Sequence, residues 1–179
     1  MIHTEVAANL TTVLKIMAQF ELTVAYFYRT CAQMWPDLEK FWTTMERAEI
    51  KHAGYLKQVN KILTEKPEGF SMGRPFTPAA LKTSMSGIEW NIQRLRNGEI
   101  TKKNILFISR DIERSILESN YGEIIKSTDI EFKALMEEIV VDTVAHRTYL
   151  ERKIEEAMAG AGSPGIHKES SWWRKQPAF

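Results

Sequence analysis

Residues 45–56 read MERAEIKHAGYL, and this stretch carries Glu49 and His52 three positions apart. The apolar residues around them recur every three or four positions, which is typical of an amphipathic helix. Both polar residues fall on the apolar stripe of that helix, where a core would take Leu or Val. A buried carboxylate or imidazole without a partner costs several kcal/mol. The stretch therefore predicts a polar site inside a helical protein.

The rest of the chain predicts long helices arranged in two hairpins. Its six prolines lie outside the long periodic segments, as expected because proline breaks helix interiors. No segment keeps the alternation that predicts a strand. Helices are predicted over residues 5–34, 38–66, 78–97, 101–126 and 129–159. Residues 1–160 are expected to form one helical domain, and 161–179 an irregular tail.

Two short-looped hairpins joined by a long middle connection favour one all-α architecture. It is a ferritin-like up-down four-helix bundle whose crossover carries an extra helix. Polar residues interrupt the apolar stripes of all four bundle helices, and they are Glu21, Glu49, His52, Glu113, Asp142 and His146. Residues of an antiparallel hairpin lie level when they are equidistant from its turn. The polar residues of the first hairpin centre on Trp35-Pro36, and those of the second on 127–129, so each set is expected at one level.

These six residues are the candidate metal ligands and also the candidate catalytic residues. Four carboxylates and two imidazoles in a core are tolerable when cations neutralise them. Oxygen-rich sites with two histidines favour iron or manganese. We therefore expect two iron ions, with manganese or zinc as alternatives. Asp142 departs from a Glu-x-x-His motif, because Thr143 stands where that motif would place its carboxylate.

Composition excludes several other classes of protein. The net charge of the 179 residues is +1, which gives no general attraction to nucleic acid or to a membrane surface. Cys31 is the only cysteine, so an intrachain disulfide and a zinc site of two Cys pairs are excluded. We find no signal peptide and no apolar run of membrane-spanning length, and we expect a cytoplasmic protein. The tyrosines are expected to be packing residues, and a redox or hydrogen-bond role beside the metals is the alternative for Tyr55, one turn from His52.

The order Glu21, Glu49-x-x-His52, Glu113, then Asp142 and His146 resembles the rubrerythrin branch of the ferritin-like superfamily. The resemblance covers about residues 5–159, and the stretch 111–154 is similar to the second hairpin of that branch. It implies a non-haem di-iron centre that reduces hydrogen peroxide or reacts with oxygen. Rubrerythrins take electrons from a rubredoxin-type iron centre held by four cysteines. This chain lacks those cysteines, so the resemblance implies a separate electron-donor protein.

Two other functions stay open. The same site would serve a ferroxidase that oxidises and hands on iron. Alternatively, the bundle could hold a degenerate centre and act as a binding module, which the altered Asp142 and the Trp172-Trp173 pair of the tail favour. A homodimer is expected, because isolated bundles of this kind often pair, whereas a ferroxidase would need an entry and exit path for iron and a hollow oligomer.

Overall fold

The computed structural model describes residues 2–74, 78–119 and 121–159, with side chains over 6–74, 78–115 and 121–159. The expected tail with Trp172 and Trp173 lies outside the described residues. Six helices and two short strands pack together in the described part of the chain. The helices are α1 (Ile2–Met34), α2 (Glu39–Glu65), α3 (Pro78–Arg96), α4 (Lys102–Ser119), α5 (Tyr121–Ile124) and α6 (Ile130–Ala159). The strands are β1 (Phe70–Met72) and β2 (Ile125–Ser127).

The long helices begin and end close to the predicted positions, because local chemistry sets their boundaries. A single turn, Pro36–Leu38, separates α1 from α2. After α3, Gly98 takes a left-handed backbone conformation with a φ of 72°. The N–H of Gly98 donates to Leu95 and that of Glu99 to Arg94, which closes the helix end. This is the Schellman arrangement, and it favours glycine at the left-handed position.

The prediction that no strand forms was wrong. The helix predicted over 101–126 was wrong at its C-terminal end. Helix α4 stops at Ser119, and β2 pairs antiparallel with β1, Phe70 opposite Ser127. Three-residue strands are too short to show the alternation on which sequence prediction depends. Gly73 continues this ladder, and a Cβ on it would lie 2.0 Å from the carbonyl oxygen of Glu123. Only glycine permits that close approach.

The packing of the helices brings four of them around one interior. Helices α1 and α2 form one antiparallel hairpin, α4 and α6 the other, and α2 contacts α6. Helix α3, which the middle connection carries, packs on α1. Asp129 caps α6 by accepting the N–H of Phe132 at 3.0 Å, and Lys66 at the end of α2 donates to the same carboxylate. No helix within the described ranges is long and apolar enough to span a bilayer.

Candidate metal centre

The structure brings five of the six predicted ligands together in the interior. Glu21, Glu49, His52 and Glu113 are 0% exposed, and His146 is 6% exposed. Their ligand atoms form two groups, each within 4.8 Å, and Glu49 belongs to both. Glu21 and His52 complete one group, and Glu113 and His146 the other. The arrangement therefore offers two neighbouring three-ligand sites that share one carboxylate.

The helices explain why these side chains meet. Glu49 and His52 lie one turn apart on α2, so both point to the same face. Helices α1 and α4 each supply one glutamate, Glu21 and Glu113, and α6 supplies His146. Glu21 and His52 are nearly equidistant from the Pro36–Leu38 turn of the first hairpin. In the second hairpin, Glu113 lies near the end of α4 and His146 in the middle of α6, and the connection between the two helices runs through α5 and β2.

Glu49 lies between the two imidazoles. Its Oε2 lies 3.0 Å from Nδ1 of His52, and its Oε1 lies 3.1 Å from Nδ1 of His146. The same nitrogen of His146 is 3.5 Å from Oε2 of Glu113. The two imidazole rings are 5.9 Å apart between centroids. A carboxylate with one oxygen turned to each side has the geometry needed to bridge two cations.

Several buried polar atoms of this cluster make no hydrogen bond of good geometry among the described residues, although Nδ1 of His146 lies within ion-pair distance of Glu49 and Glu113. Because a buried polar atom without a partner is costly, their convergence calls for a further bound group. Cations fit these atoms, since carboxylate oxygens and imidazole nitrogens are metal ligands. The atoms are both carboxylate oxygens of Glu21, Oε1 of Glu49, Oε2 of Glu113 and Nδ1 of His146.

The carboxylates of the cluster differ in their affinity for protons. Burial, followed by the charge of Glu49, raises the pKa of Glu21 well above its usual value. Burial and the same charge raise the pKa of Glu113. For Glu49 burial acts in the same direction, but the neighbouring His146 and His52 outweigh it and lower its pKa. Of these three carboxylates, Glu49 is therefore the one that binds a proton most weakly.

The imidazoles respond to the same charges. Burial favours the neutral form of His52, yet Asp142 and Glu49 outweigh it and raise its pKa to about 9. Burial likewise opposes the charge on His146, and Glu113 and Glu49 raise its pKa to about 10. A metal ligand must be a neutral imidazole. Binding of cations here consequently has to displace protons.

Asp142, the sixth predicted ligand, lies outside both three-ligand groups. Its side chain is 27% exposed, and its Oδ2 is 2.7 Å from Nζ of Lys51 and 3.2 Å from Nε2 of His52. The contacts with His52 and then Lys51 lower the pKa of Asp142 to about 2. Partial burial opposes this shift but does not outweigh it. A metal-bound imidazole usually gives its second N–H to a carboxylate, which fixes the ring. Thr143 donates its hydroxyl to Ile139 within α6.

Two tyrosines that were expected only to pack lie against the cluster. The hydroxyl of Tyr28 donates to Oε1 of Glu113 at 2.5 Å. Burial and then the charge of Glu21 raise the pKa of Tyr121, which marks its hydroxyl as a neighbour of that carboxylate. Tyr55, for which a partner role was the alternative, lies beneath Nζ of Lys51, which is 5.4 Å from the ring centroid. The sequence signal for the role of Tyr28 was its position on the same apolar stripe of α1 as Glu21.

The donor set allows a limited range of chemistry. Three carboxylates and two imidazoles, without a thiolate, suit iron, manganese or zinc. Each site supplies three protein ligands, so a six-coordinate ion would keep positions for a reactant. Comparison of the chain with known protein families, with curated proteins and with solved structures finds no match. The function is therefore inferred from the donor atoms and their surroundings.

Proposed function

We propose that the chain is a ferritin-like bundle of rubrerythrin type that holds two iron ions and reduces hydrogen peroxide. The electrons come from a separate donor protein in this proposal. The observation that carries it is the position of Glu49 between His52 and His146, inside two groups of three ligand atoms. The hairpins α1–α2 and α4–α6, with α3 in the crossover, support the ferritin-like arrangement.

Iron is preferred over the other cations because the proposed reaction needs two electrons. When bound, two ferrous ions would supply those electrons, and peroxide would take them up with two protons to give two molecules of water. Manganese fits the same ligands, and zinc fits them without redox activity. The sites are enclosed, since four of the five ligands are fully buried. Burial excludes bulk water and strengthens the interaction of the ligands with bound charge.

The surrounding side chains hold the ligands in place. Tyr28 donates to one oxygen of Glu113 and so leaves the other oxygen, Oε2, turned to His146. Asp142 holds Nε2 of His52 and so leaves Nδ1 beside Glu49. Each contact fixes which atom of a ligand faces the interior of the cluster. The chain's own contribution to catalysis is this fixed orientation of donor atoms.

The proposal is tested by metal content and by peroxide consumption of the full chain produced with iron. We expect two irons per chain, and peroxide reduction driven by a reduced donor. Glu49→Ala is expected to abolish both, whereas Glu65→Ala, an exposed glutamate at the end of α2, should change neither. Two irons per chain without peroxide turnover would favour the ferroxidase function. A chain without bound metal would contradict the proposal and favour a binding module.

A further inference from the structure

The ligand residues of the centre are shielded from solvent. Glu21 and Glu113 are buried, and so are the two tyrosines that lie against them, Tyr121 and Tyr28. A metal ion from solution therefore has to pass between helices to reach the two three-ligand groups. The seam between α2 and α6 offers a continuous series of contacts from the surface to one ligand, His52.

The charged side chains of this seam become more exposed with distance from the centre. Nε2 of His52 lies 3.2 Å from Oδ2 of Asp142, which lies 2.7 Å from Nζ of Lys51. The same Nζ lies 3.8 Å from Oε2 of Glu138, and the Glu138 side chain is 59% exposed. His52 turns Nδ1 to Glu49, so its imidazole is the last group between the seam and the shared carboxylate. Two carboxylates thus line a path from the surface to the centre.

The ammonium group of Lys51 lies between these two carboxylates, in a position that suits a cation. The Lys51 side chain is 44% exposed, and its Nζ also lies over the ring of Tyr55. Ion pairs between exposed side chains contribute little to stability, because water solvates both partners well. A divalent metal ion carries twice the charge of an ammonium group and binds carboxylate oxygens directly. An arriving metal ion can therefore displace Lys51.

The other seam of α6, which faces α4, is less suited to a cation. The side chains that line a pocket there are Arg110, Arg114, Arg147 and Glu151. A guanidinium group keeps its positive charge at any ordinary pH, and like charges repel at short range. An ion that approached along this seam would meet three such groups. Among the described side chains, the charges near α6 thus favour an approach from the α2 side.

We propose that the seam between α2 and α6 is the entrance through which divalent metal ions reach the centre. Glu138 and then Asp142 receive the ion, and Lys51 closes the entrance until the ion displaces it. This inference rests on the metal centre of the proposed function, but not on the reaction with peroxide. Lys51 and Glu138 belong to neither three-ligand group. They therefore act on the passage of the ion and not on its bound state.

The rates of metal entry and exit test this inference in the metal-free full chain, with Co²⁺ as the probe. Stopped-flow absorption of bound cobalt measures entry, and its loss to excess chelator measures exit. A residue that acts on the passage alone changes both rates by the same factor, because it changes only the barrier. Glu138→Gln should lower both rates by about threefold or more, and Lys51→Gln should raise both by a similar factor. Cobalt affinity should stay within about twofold in both variants.

Two matched controls separate the entrance from the general charge of the surface. Glu137→Gln removes the same charge from the neighbouring exposed position of α6, outside the contacts of Lys51. Lys57→Gln removes a positive charge from α2 on its α1 side, where Lys57 lines a groove. Neither variant should change the entry or exit rate. All four exchanged side chains are exposed, so the variants are expected to fold, and circular dichroism checks this.

Three results would overturn the inference. They are unchanged rates in Glu138→Gln or Lys51→Gln, an equal effect of the matched control, and a changed exit rate at an unchanged entry rate. Absence of cobalt binding to the wild-type chain would refute the metal centre, and both the proposed function and the entrance would fall with it. The expected rate changes in a chain whose iron-loaded form does not reduce peroxide would support the entrance and refute the proposed function alone.

Discussion

Oδ2 of Asp142 lies 3.2 Å from Nε2 of His52, on the side of the imidazole that faces away from Glu49. The carboxylate thus holds the ring and leaves Nδ1 for a cation. Asp142→Ala is expected to lower metal affinity by about 10–100-fold while two metals still bind at saturation. Competition with a chelator measures the affinity. Loss of one metal per chain would show that Asp142 is itself a ligand, as the sequence predicted.

A matched variant and a spectroscopic readout separate this positioning effect from a loss of surface charge. Glu138 also approaches Lys51, with Nζ 3.8 Å from its Oε2, and does not contact the imidazole. Glu138→Gln should therefore leave metal affinity unchanged. Nitrogen NMR of the metal-loaded protein with diamagnetic zinc should show His52 protonated at Nε2. Asp142→Ala should broaden or shift that signal.

The shared position of Glu49 predicts an unequal effect of glutamate substitutions. Glu49→Ala should remove both metals, because this carboxylate belongs to both groups. Glu21→Ala and Glu113→Ala should each remove one, since each belongs to a single group. Elemental analysis of purified variants gives the count. One metal retained in Glu49→Ala would contradict a bridging role.

Metal binding is expected to release protons at pH 7. His52 and His146, with pKa values raised to about 9 and about 10, are protonated in the metal-free chain at that pH. Both imidazoles must be neutral when they bind metal, so their deprotonation releases about two protons. Calorimetry in buffers with different ionisation enthalpies measures this number. Metal binding without proton release would show that the imidazoles are not ligands.

The stability of the metal-free protein should fall as pH rises. An unfolded imidazole has a pKa of about 6.5, below the raised values of His52 and His146. Their contribution is fully present below pH 6.5 and is lost as pH rises through 9 and 10. Urea unfolding at pH 6, 8 and 10 measures the loss. The double variant with both histidines replaced by glutamine should show a flatter profile, and an unchanged slope would contradict the assignment.

The contact between Tyr28 and Glu113 predicts a stability effect at the centre. Tyr28→Phe removes a buried donor to Oε1 of Glu113, which should cost about 1–3 kcal/mol in the metal-free chain. Tyr26→Phe is the control, because it removes a hydroxyl on the same helix that accepts only an exposed hydrogen bond, from Arg96. It should change the free energy of unfolding by less than about 0.5 kcal/mol. Equal losses in the two variants would indicate a general effect on α1.

Hydrophobic period and proline placement predicted most of the fold, because both act within a few residues of the chain. The same local signals placed Glu21, Glu49, His52, Glu113 and His146 on interior stripes. In the first hairpin their level followed from the short turn, since a tight turn leaves an antiparallel hairpin little freedom of register. In the second hairpin the predicted turn at 127–129 was wrong, because α5 and β2 lie between α4 and α6, so the meeting of Glu113 and His146 did not follow from that turn. Local sequence signals were therefore sufficient to predict the ligand residues, but not the side chains around them.

The remaining features depend on contacts between distant segments. Position 142 lies on α6 where it faces Lys51 of α2, and the sequence alone does not show that neighbour. Tyr28 and Tyr121 look like packing aromatics, because a buried phenol ring fills a stripe whether or not its hydroxyl has a partner. The strands β1 and β2 are short and gain stability only from each other, so neither gives a local signal.

The β1–β2 ladder has a consequence for how copies of this chain can associate. It fastens the crossover that follows the first hairpin to the segment that leads into α6. Gly73 tightens this link by its close approach to Glu123. Exchange of hairpins between two copies would have to break that link. In this structure both halves of the centre come from one polypeptide, and we therefore expect its metal content not to vary with protein concentration.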